Sequence, residues 1–366
     1  MRIIITGACA VSARSVCRSL RKSEKFKNAE FIGWDMANNL YGMYEGLFDK
    51  IYKVPSVASP SYKSVIDNIL EAEKPDAVIV VPEVEVLYWA SNSFKVTCLL
   101  PPLDFCRVAI SKKLVFEALM PFDLVPKSYE VNKNTILSDE FESPLGYPVW
   151  VRDSSAGTAS GKGSFKANNI EELCAWVRIN TGIKEFQLSQ YLSGGNYGVF
   201  MLFYDGHLKK LAIAERQEYI MSKVAISGIT GNTSKGRLIN NDLIKETALK
   251  AIGIICEKTK TRMNGLVVCD LKADEFGKPY VTEINIRHVA FSSSFANAGF
   301  NIAEYQLLCA LGRESELTPE IERKYYPVNN QILRDVDGLP IYVSNIIDIH
   351  DGEYISKDSL SLIRVK

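Results

Sequence analysis

The chain has 366 residues, enough for two or three domains with cores of their own, and its apolar and charged fractions are ordinary for a globular protein in water. Its 43 Lys and Arg balance 43 Asp and Glu, which argues against a general basic surface for nucleic acid. Eight cysteines without a C-x-x-C pair read as reduced thiols, three histidines far apart at 207, 288 and 350 argue against a His-based zinc site, and no apolar stretch approaches a membrane span. The first residues lack the length and cleavage pattern of a signal peptide, so the expected location is cytoplasmic.

Arg2-Ile3-Ile4-Ile5-Thr6-Gly7 has the pattern of a buried strand, and a helix with Val11, Val16 and Leu20 on one side follows. This start invites a dinucleotide-binding reading, but that fingerprint needs three glycines, and Cys9 and Ser12 hold the other two places. Residues 31–34, ending at Asp35, and 50–54 predict two more strands, 62–73 an amphipathic helix, and 76–81 a β-branched strand. Strands alternating with helices predict a parallel, doubly wound sheet with ligands beyond its strand C-termini, where Glu83 and Glu85 follow, either facing substrate or serving as loop acids or as the acidic start of a helix. Two prolines in 99–102 mark the exit from this domain.

Ser111 caps a predicted helix over 112–119 that begins with Lys112 and Lys113. The helix dipole disfavours cations there, so two lysines suggest an anion nearby, solvated lysines being the alternative. Residues 147–151 read as a strand ending in Arg152, and a loop rich in Ser and Gly runs on from Ser154 to Gly163. Its small residues let backbone N–H groups approach an anion. It is not a P-loop, because Gly163 follows Lys162 and no helix pattern begins there. With Arg152 before it and Lys162 inside it, it reads as a flap over phosphates. Strands over 186–192 and 197–204 flank Ser193-Gly194-Gly195-Asn196, and Asp205-Gly206 turns the chain into a strand over 208–215 closed by Arg216.

The stretch 264–290 carries the most chemistry. An apolar run over 265–272 contains Asp270, 274–277 make a turn, and a second run ends in Glu283, Asn285 and Arg287, spaced two apart. Residues two apart in a strand share a face, and Asp270 on the partner strand can join them. Two carboxylates and an amide are oxygen ligands of the kind Mg²⁺ accepts beside phosphate, and Arg287 offers a planar fork for phosphoryl or carboxylate. The same pattern also suits a solvated hairpin. A helix over 302–311 follows, then a charged stretch to Arg323 and strand-like runs at 331–333, 339–343 and 361–365, read as a small appendage packed on the nucleotide-binding part, in reach of substrate or a second subunit.

In this order, Lys112/Lys113, Arg152 with its glycine loop, Gln190-Tyr191-Leu192, Asp270 and Glu283-x-Asn285-x-Arg287 resemble the ATP-grasp superfamily, most closely the nucleotide-binding modules of the carbamoyl phosphate synthetase large chain. The resemblance covers residues 1–315. It implies an α/β fold: a Rossmann-like parallel-sheet domain over 1–107, a two-lobed α+β ATP-grasp domain over 108–315, and an appendage over 316–366. It implies Lys113 on the ATP phosphates, Arg152 near adenine and the α-phosphate, and the loop with Ser155, Gly157, Ser160, Gly161 and Lys162 over the β- and γ-phosphates. Gln190, Tyr191 and Leu192 would form a hinge reading the adenine edge, with Asn196 at the ribose. Asp270, Glu283 and Asn285 would carry Mg²⁺, as one ion or two and replaceable by Mn²⁺, while Arg287 and Arg216 serve the transferred phosphate and the acyl substrate.

Ser189, Asn196, Ile286 and Lys112 depart from the family pattern, which has acidic residues at the first two places, proline at the third and Asp at the fourth. The implied activity is ligation of a small carboxylate to an amine or related nucleophile through an acyl phosphate, with ADP and phosphate released and a homodimer allowed. A non-catalytic ATP-binding regulatory protein is the alternative that Ser189 and Asn196 motivate, and Thr6-Gly7 keeps an oxidoreductase as a third. The sequence holds no second nucleotide-binding module or glutaminase, so full carbamoyl phosphate synthesis is not expected.

Overall fold

Ile3, Ile4 and Ile5 are all 0% exposed, which a strand achieves only when both of its faces are covered. The computed structural model describes residues 1–37, 39–154, 163–223, 232–323, 325–334 and 350–356. In it, strand Arg2–Thr6 lies parallel between Glu30–Asp35 and Ala77–Ile79, with Lys50–Lys53 beyond Glu30–Asp35. Helices Val11–Arg21 and Tyr62–Glu73 are the crossovers that parallel neighbours require. Gly7, at φ +67°, is needed where two loops approach: a Cβ there would lie 2.5 Å from Pro82 Cγ. Asp35 accepts the backbone N–H groups of Cys9 (2.9 Å) and Ala37 (2.8 Å). The Gly7 turn is therefore explained by local packing, without a dinucleotide.

Glu83 and Glu85 do not lie in an open loop; they begin helix Glu83–Ser91. Glu85 is buried and accepts Trp34 Nε1 (3.1 Å) and Tyr62 Oη (2.7 Å), so it belongs to the core of this domain.

Two antiparallel sheets follow. The smaller runs in the order Ser128–Asn132, Glu185–Gln190, Val149–Asp153, Phe165–Ala167. Helix Ile170–Ile179 covers it, and its core draws only on residues between 131 and 188. The larger runs in the order Pro279–Asn285, Gly265–Ala273, Asn196–Tyr204, His207–Tyr219, Thr233–Ile239, Ile332–Leu333. The strand expected to close at Arg216 continues to Tyr219, because it still pairs with Thr233 through a bulge.

One face of this sheet, with Val199, Met201, Ile213 and Val267, shares a core with the N-terminal sheet and helices Lys112–Leu119 and Asp242–Thr259. On the other face Phe200, Leu202, Ala212 and Val268 pack on Phe291, Phe295 and Phe300. Helix Ile302–Ala310 then joins the two domains: Ala303 and Leu307 pack into the N-terminal core, Ile302 and Cys309 against the large sheet.

The described part of the last segment packs on the large sheet and on the N-terminal sheet. The buried Lys210 ammonium donates to Thr318 O (2.9 Å), Thr318 Oγ1 (2.7 Å) and Glu320 O (2.6 Å), tying this stretch to the sheet. Ile332–Leu333 extends the large sheet, while Tyr354–Ser356 adds an antiparallel edge to the N-terminal sheet at Lys50–Lys53. The strand-like runs at 339–343 and 361–365 lie outside the described residues. Among those described, no helix is long and apolar enough to cross a membrane.

Candidate active site

Between the two antiparallel sheets, and closed on a third side by Val11 and Ser12 of the N-terminal domain, is a cavity of about 1160 Å³. Its centre is the hairpin. Asp270 and Glu283 are directly opposed in the ladder, and Asn285 lies two residues further on the same face. Gly198 faces Asp270 on the other neighbouring strand. A Cβ at Gly198 would lie 3.0 Å from Arg216 Nη2 and 3.5 Å from Asp270 Oδ1, so glycine leaves room for the 2.5 Å Arg216–Asp270 ion pair. Burial opposes the Arg216 charge, but Asp270 outweighs it and holds the guanidinium protonated. Burial, with the Asp270 charge beside it, pushes the Glu283 carboxyl up, and Lys112 opposes that rise.

Among the described residues no group of three or more His, Cys, Asp and Glu is placed to hold a metal. The oxygen set is two carboxylates and an amide, and no described side chain hydrogen-bonds to Glu283. A half-buried pair of acids, one of them without a side-chain donor among the described residues, fits a hard divalent cation that keeps part of its coordination for phosphate.

The cationic wall is shifted by one residue from expectation. Lys113 is 60% exposed at its side chain and turns outward to Glu130 (3.5 Å); Lys112 lines the cavity instead. Ser111 sets this phase, its hydroxyl accepting Leu114 N–H at 3.3 Å. Burial and the neighbouring Arg152 lower the Lys112 pKa. Arg152 donates to Gln187 Oε1 (2.6 Å) and lies over the Phe116 ring (5.3 Å), and burial brings it down to about 10. Gln190, Tyr191 and Leu192 line the cavity where the chain passes from the small sheet to the large one, with Lys166 over the Tyr191 ring at 4.5 Å. Ser189 is buried, its hydroxyl 3.4 Å from Trp150 O.

Asn196 also lines the cavity, and its Oδ1 accepts Lys272 Nζ at 3.4 Å. Sequence reasoning passed over Lys272, although it stands two residues after Asp270 in one strand and so shares its face. Ser155, Gly157, Ser160, Gly161 and Lys162 lie outside the described residues; Gly163, where their loop ends, has φ +66° and its carbonyl accepts Trp176 Nε1 (2.8 Å). Arg287 lines the cavity with Nη1 on His288 O (3.0 Å).

His288 was invisible as an isolated histidine. It is buried, with Nε2 2.6 Å from Gln306 Oε1 and Nδ1 2.9 Å from Ser292 Oγ, while Gln306 Nε2 donates to Leu99 O (3.1 Å). Burial brings its pKa down to about 4, so the ring is neutral at pH 7. Among the described residues seven cationic side chains and three carboxylates line the cavity, an excess suited to a polyanion.

No family model and no curated protein matches the sequence. Solved structures do match the fold. The L-amino acid ligase of Bacillus licheniformis superposes with a TM-score of 0.59 at 15% identity, covering 87% of this chain and 77% of that one. Phosphoribosylamine–glycine ligase of Thermotoga maritima gives 0.61 at 15% identity, over 87% and 78%. D-alanine–D-alanine ligase of Bacillus anthracis, complexed with ATP, gives 0.51 at 14% identity, over 86% and 97%. At such identities the likeness is one of fold.

Proposed function

We propose that this chain, whose fold is the ATP-grasp fold its motifs resemble, is an ATP-dependent ligase that joins a small carboxylate to an amine or related nucleophile. The observation that carries this is the opposed Asp270–Glu283 pair with Asn285, set in a cavity whose described lining carries more cations than carboxylates. The substrate carboxylate attacks the γ-phosphorus, the bond to the β,γ-bridging oxygen breaks, and ADP leaves with that electron pair. The nucleophile then attacks the acyl carbon of the acyl phosphate; phosphate departs and the amine proton passes to solvent.

Lys112 and Arg152 would hold the phosphates, Gln190–Leu192 the adenine and Asn196 the ribose, while Arg287 holds the transferred phosphoryl or the acyl oxygen. Arg216 acts by orienting Asp270. Mg²⁺ bound to Asp270, Glu283 and Asn285 would neutralise charge on the phosphate oxygens, and two ions, or Mn²⁺ in their place, belong to the same proposal. The residues' work is positioning and charge neutralisation, the main means of catalysing phosphoryl transfer.

The functional division at 107/108 and 315/316, the kinship to carbamoyl phosphate synthetase modules, a cytoplasmic location and a homodimer complete the reading. Eight free cysteines suit a reducing compartment. One fold neighbour, the biotin carboxylase domain of Hydrogenobacter thermophilus 2-oxoglutarate carboxylase, is described as a dimer with MgADP.

The test is an ADP-release screen over amino acids, sugar acids and amines, with hydroxylamine to trap the acyl phosphate. ADP release with a hydroxamate product is expected. Tight ATP binding without release across the panel would make the chain a regulatory nucleotide binder.

A further inference from the structure

Arg334 enters the cavity from a segment that sequence reading left without chemistry. It is positioned because Ile332–Leu333 pairs with Lys235 and Gly236 of the large sheet. Its backbone N–H donates to Ser234 O (2.7 Å), Nη1 donates to Thr233 O (3.0 Å), and the guanidinium carbon lies 6.0 Å from the Phe291 ring centre. Among the described residues it has no carboxylate partner, and neither has Arg287, whose guanidinium also bonds a backbone carbonyl. Burial, and Arg18 nearby, lower the Arg334 pKa. Val11 and Ser12, opening helix Val11–Arg21, line the same cavity; that helix has no acidic residue in its first turn and no side-chain cap. Among the described residues both guanidinium forks hydrogen-bond only carbonyls, which leaves donors and charge for an arriving anion.

We propose that Arg334, with the first turn of helix Val11–Arg21, forms a second anion subsite in the cavity that Arg287 also lines, and that it binds a carboxylate or phosphate carried by the nucleophilic substrate. The proposal rests on the ligase reading for the word "nucleophilic" but not for the subsite itself. Arg334 is thus a specificity-determining residue: it selects amines that bear an anion and leaves nucleotide binding alone.

The first test titrates sodium phosphate and sodium acetate, separately, into the full chain saturated with magnesium and a non-hydrolysable ATP analogue. Arg334→Gln should weaken binding of the preferred anion about tenfold or more, Arg334→Lys less, with the analogue's affinity unchanged. Stronger phosphate binding points to a phosphorylated substrate, stronger acetate binding to a carboxylate. Equal affinities in wild type and Arg334→Gln would overturn the subsite. If the analogue fails to bind, the ligase reading falls, yet the anion titration still reads Arg334 by itself. In turnover, Arg334→Gln should raise KM for the anion-bearing amine about tenfold or more and leave its amide or dephosphorylated analogue unchanged. An equal rise for both would also defeat the proposal.

Discussion

The same face of the large sheet is oil at one end and charge at the other. Strand Asn196–Tyr204 contributes Phe200 and Leu202 to the apolar half, but Asn196 to the cavity and Gly198 to the space beside Asp270 and Arg216; strand Gly265–Ala273 likewise contributes Leu266 and Val268, then Asp270 and Lys272. Backbone, pairing and alternation are common to both halves, so only side chains two positions apart decide the role. The apolar half buries its surface against Phe291, Phe295 and Phe300 and holds the fold. The charged half keeps an ion pair and an acid off its ordinary pKa in a partly dry place, which costs stability and is tolerated where chemistry needs it.

Substitutions on either side should separate these roles. Glu283→Ala should lower ADP release by at least about 10³-fold with an unchanged or higher Tm, read by coupled assay and thermal melt; normal turnover would remove Glu283 from the metal set. Phe295→Ala should do the reverse. Phe295 is 0% exposed and meets Phe200 edge-on at 4.5 Å, so denaturant unfolding should show a loss of about 3–5 kcal/mol, with little loss of activity per folded molecule.

At the border, His288 is held near a pKa of about 4, below the ordinary 6.5. The unfolded chain binds its proton first, so stability rises with pH between those values, by at most about 3 kcal/mol. His288→Gln should flatten that window in urea titrations at fixed pH; an unchanged slope would place the linkage elsewhere. Glu283 has the opposite sign. Its raised folded pKa means that the native state binds the proton first, so stability without metal falls as pH rises above the ordinary 4.5. Glu283→Gln should therefore be more stable than wild type at neutral pH and lose that advantage near pH 4. The smallest effect is expected of Gly198→Ala, whose methyl displaces the Arg216 guanidinium: about tenfold in ADP release, with Tm nearly unmoved. A full-activity Gly198→Ala enzyme would show that the ion pair does not need that geometry.

The hairpin was legible because strand periodicity is two: Glu283, Asn285 and Asp270 share a face in the sequence as they do in the sheet. Helix Lys112–Leu119 was legible from end to end, but which of two adjacent lysines faces inward depends on what packs around the helix, and that is not a local property. Gly198 and Lys272 matter through neighbouring strands, and Arg334 through a two-residue strand paired with residues almost a hundred positions earlier. No local pattern announces such pairings. The parallel sheet was readable from its isoleucines, whereas Glu85 stayed ambiguous because two acids after a strand look alike whether they meet solvent or a buried tryptophan.

The two ends of the C-terminal segment, one in each major sheet, have a mechanical consequence. Together with helix Ile302–Ala310 they strap the N-terminal domain to the large sheet as one body with a shared core, while the small sheet keeps a core of its own. Opening and closing of the cavity should then be a swing of that small lobe alone, pivoting where the chain enters near Val125 and leaves near Leu192. A spin-label pair within the strapped body should hold its distance when nucleotide is added, and a pair reaching from it to helix Ile170–Ile179 should not.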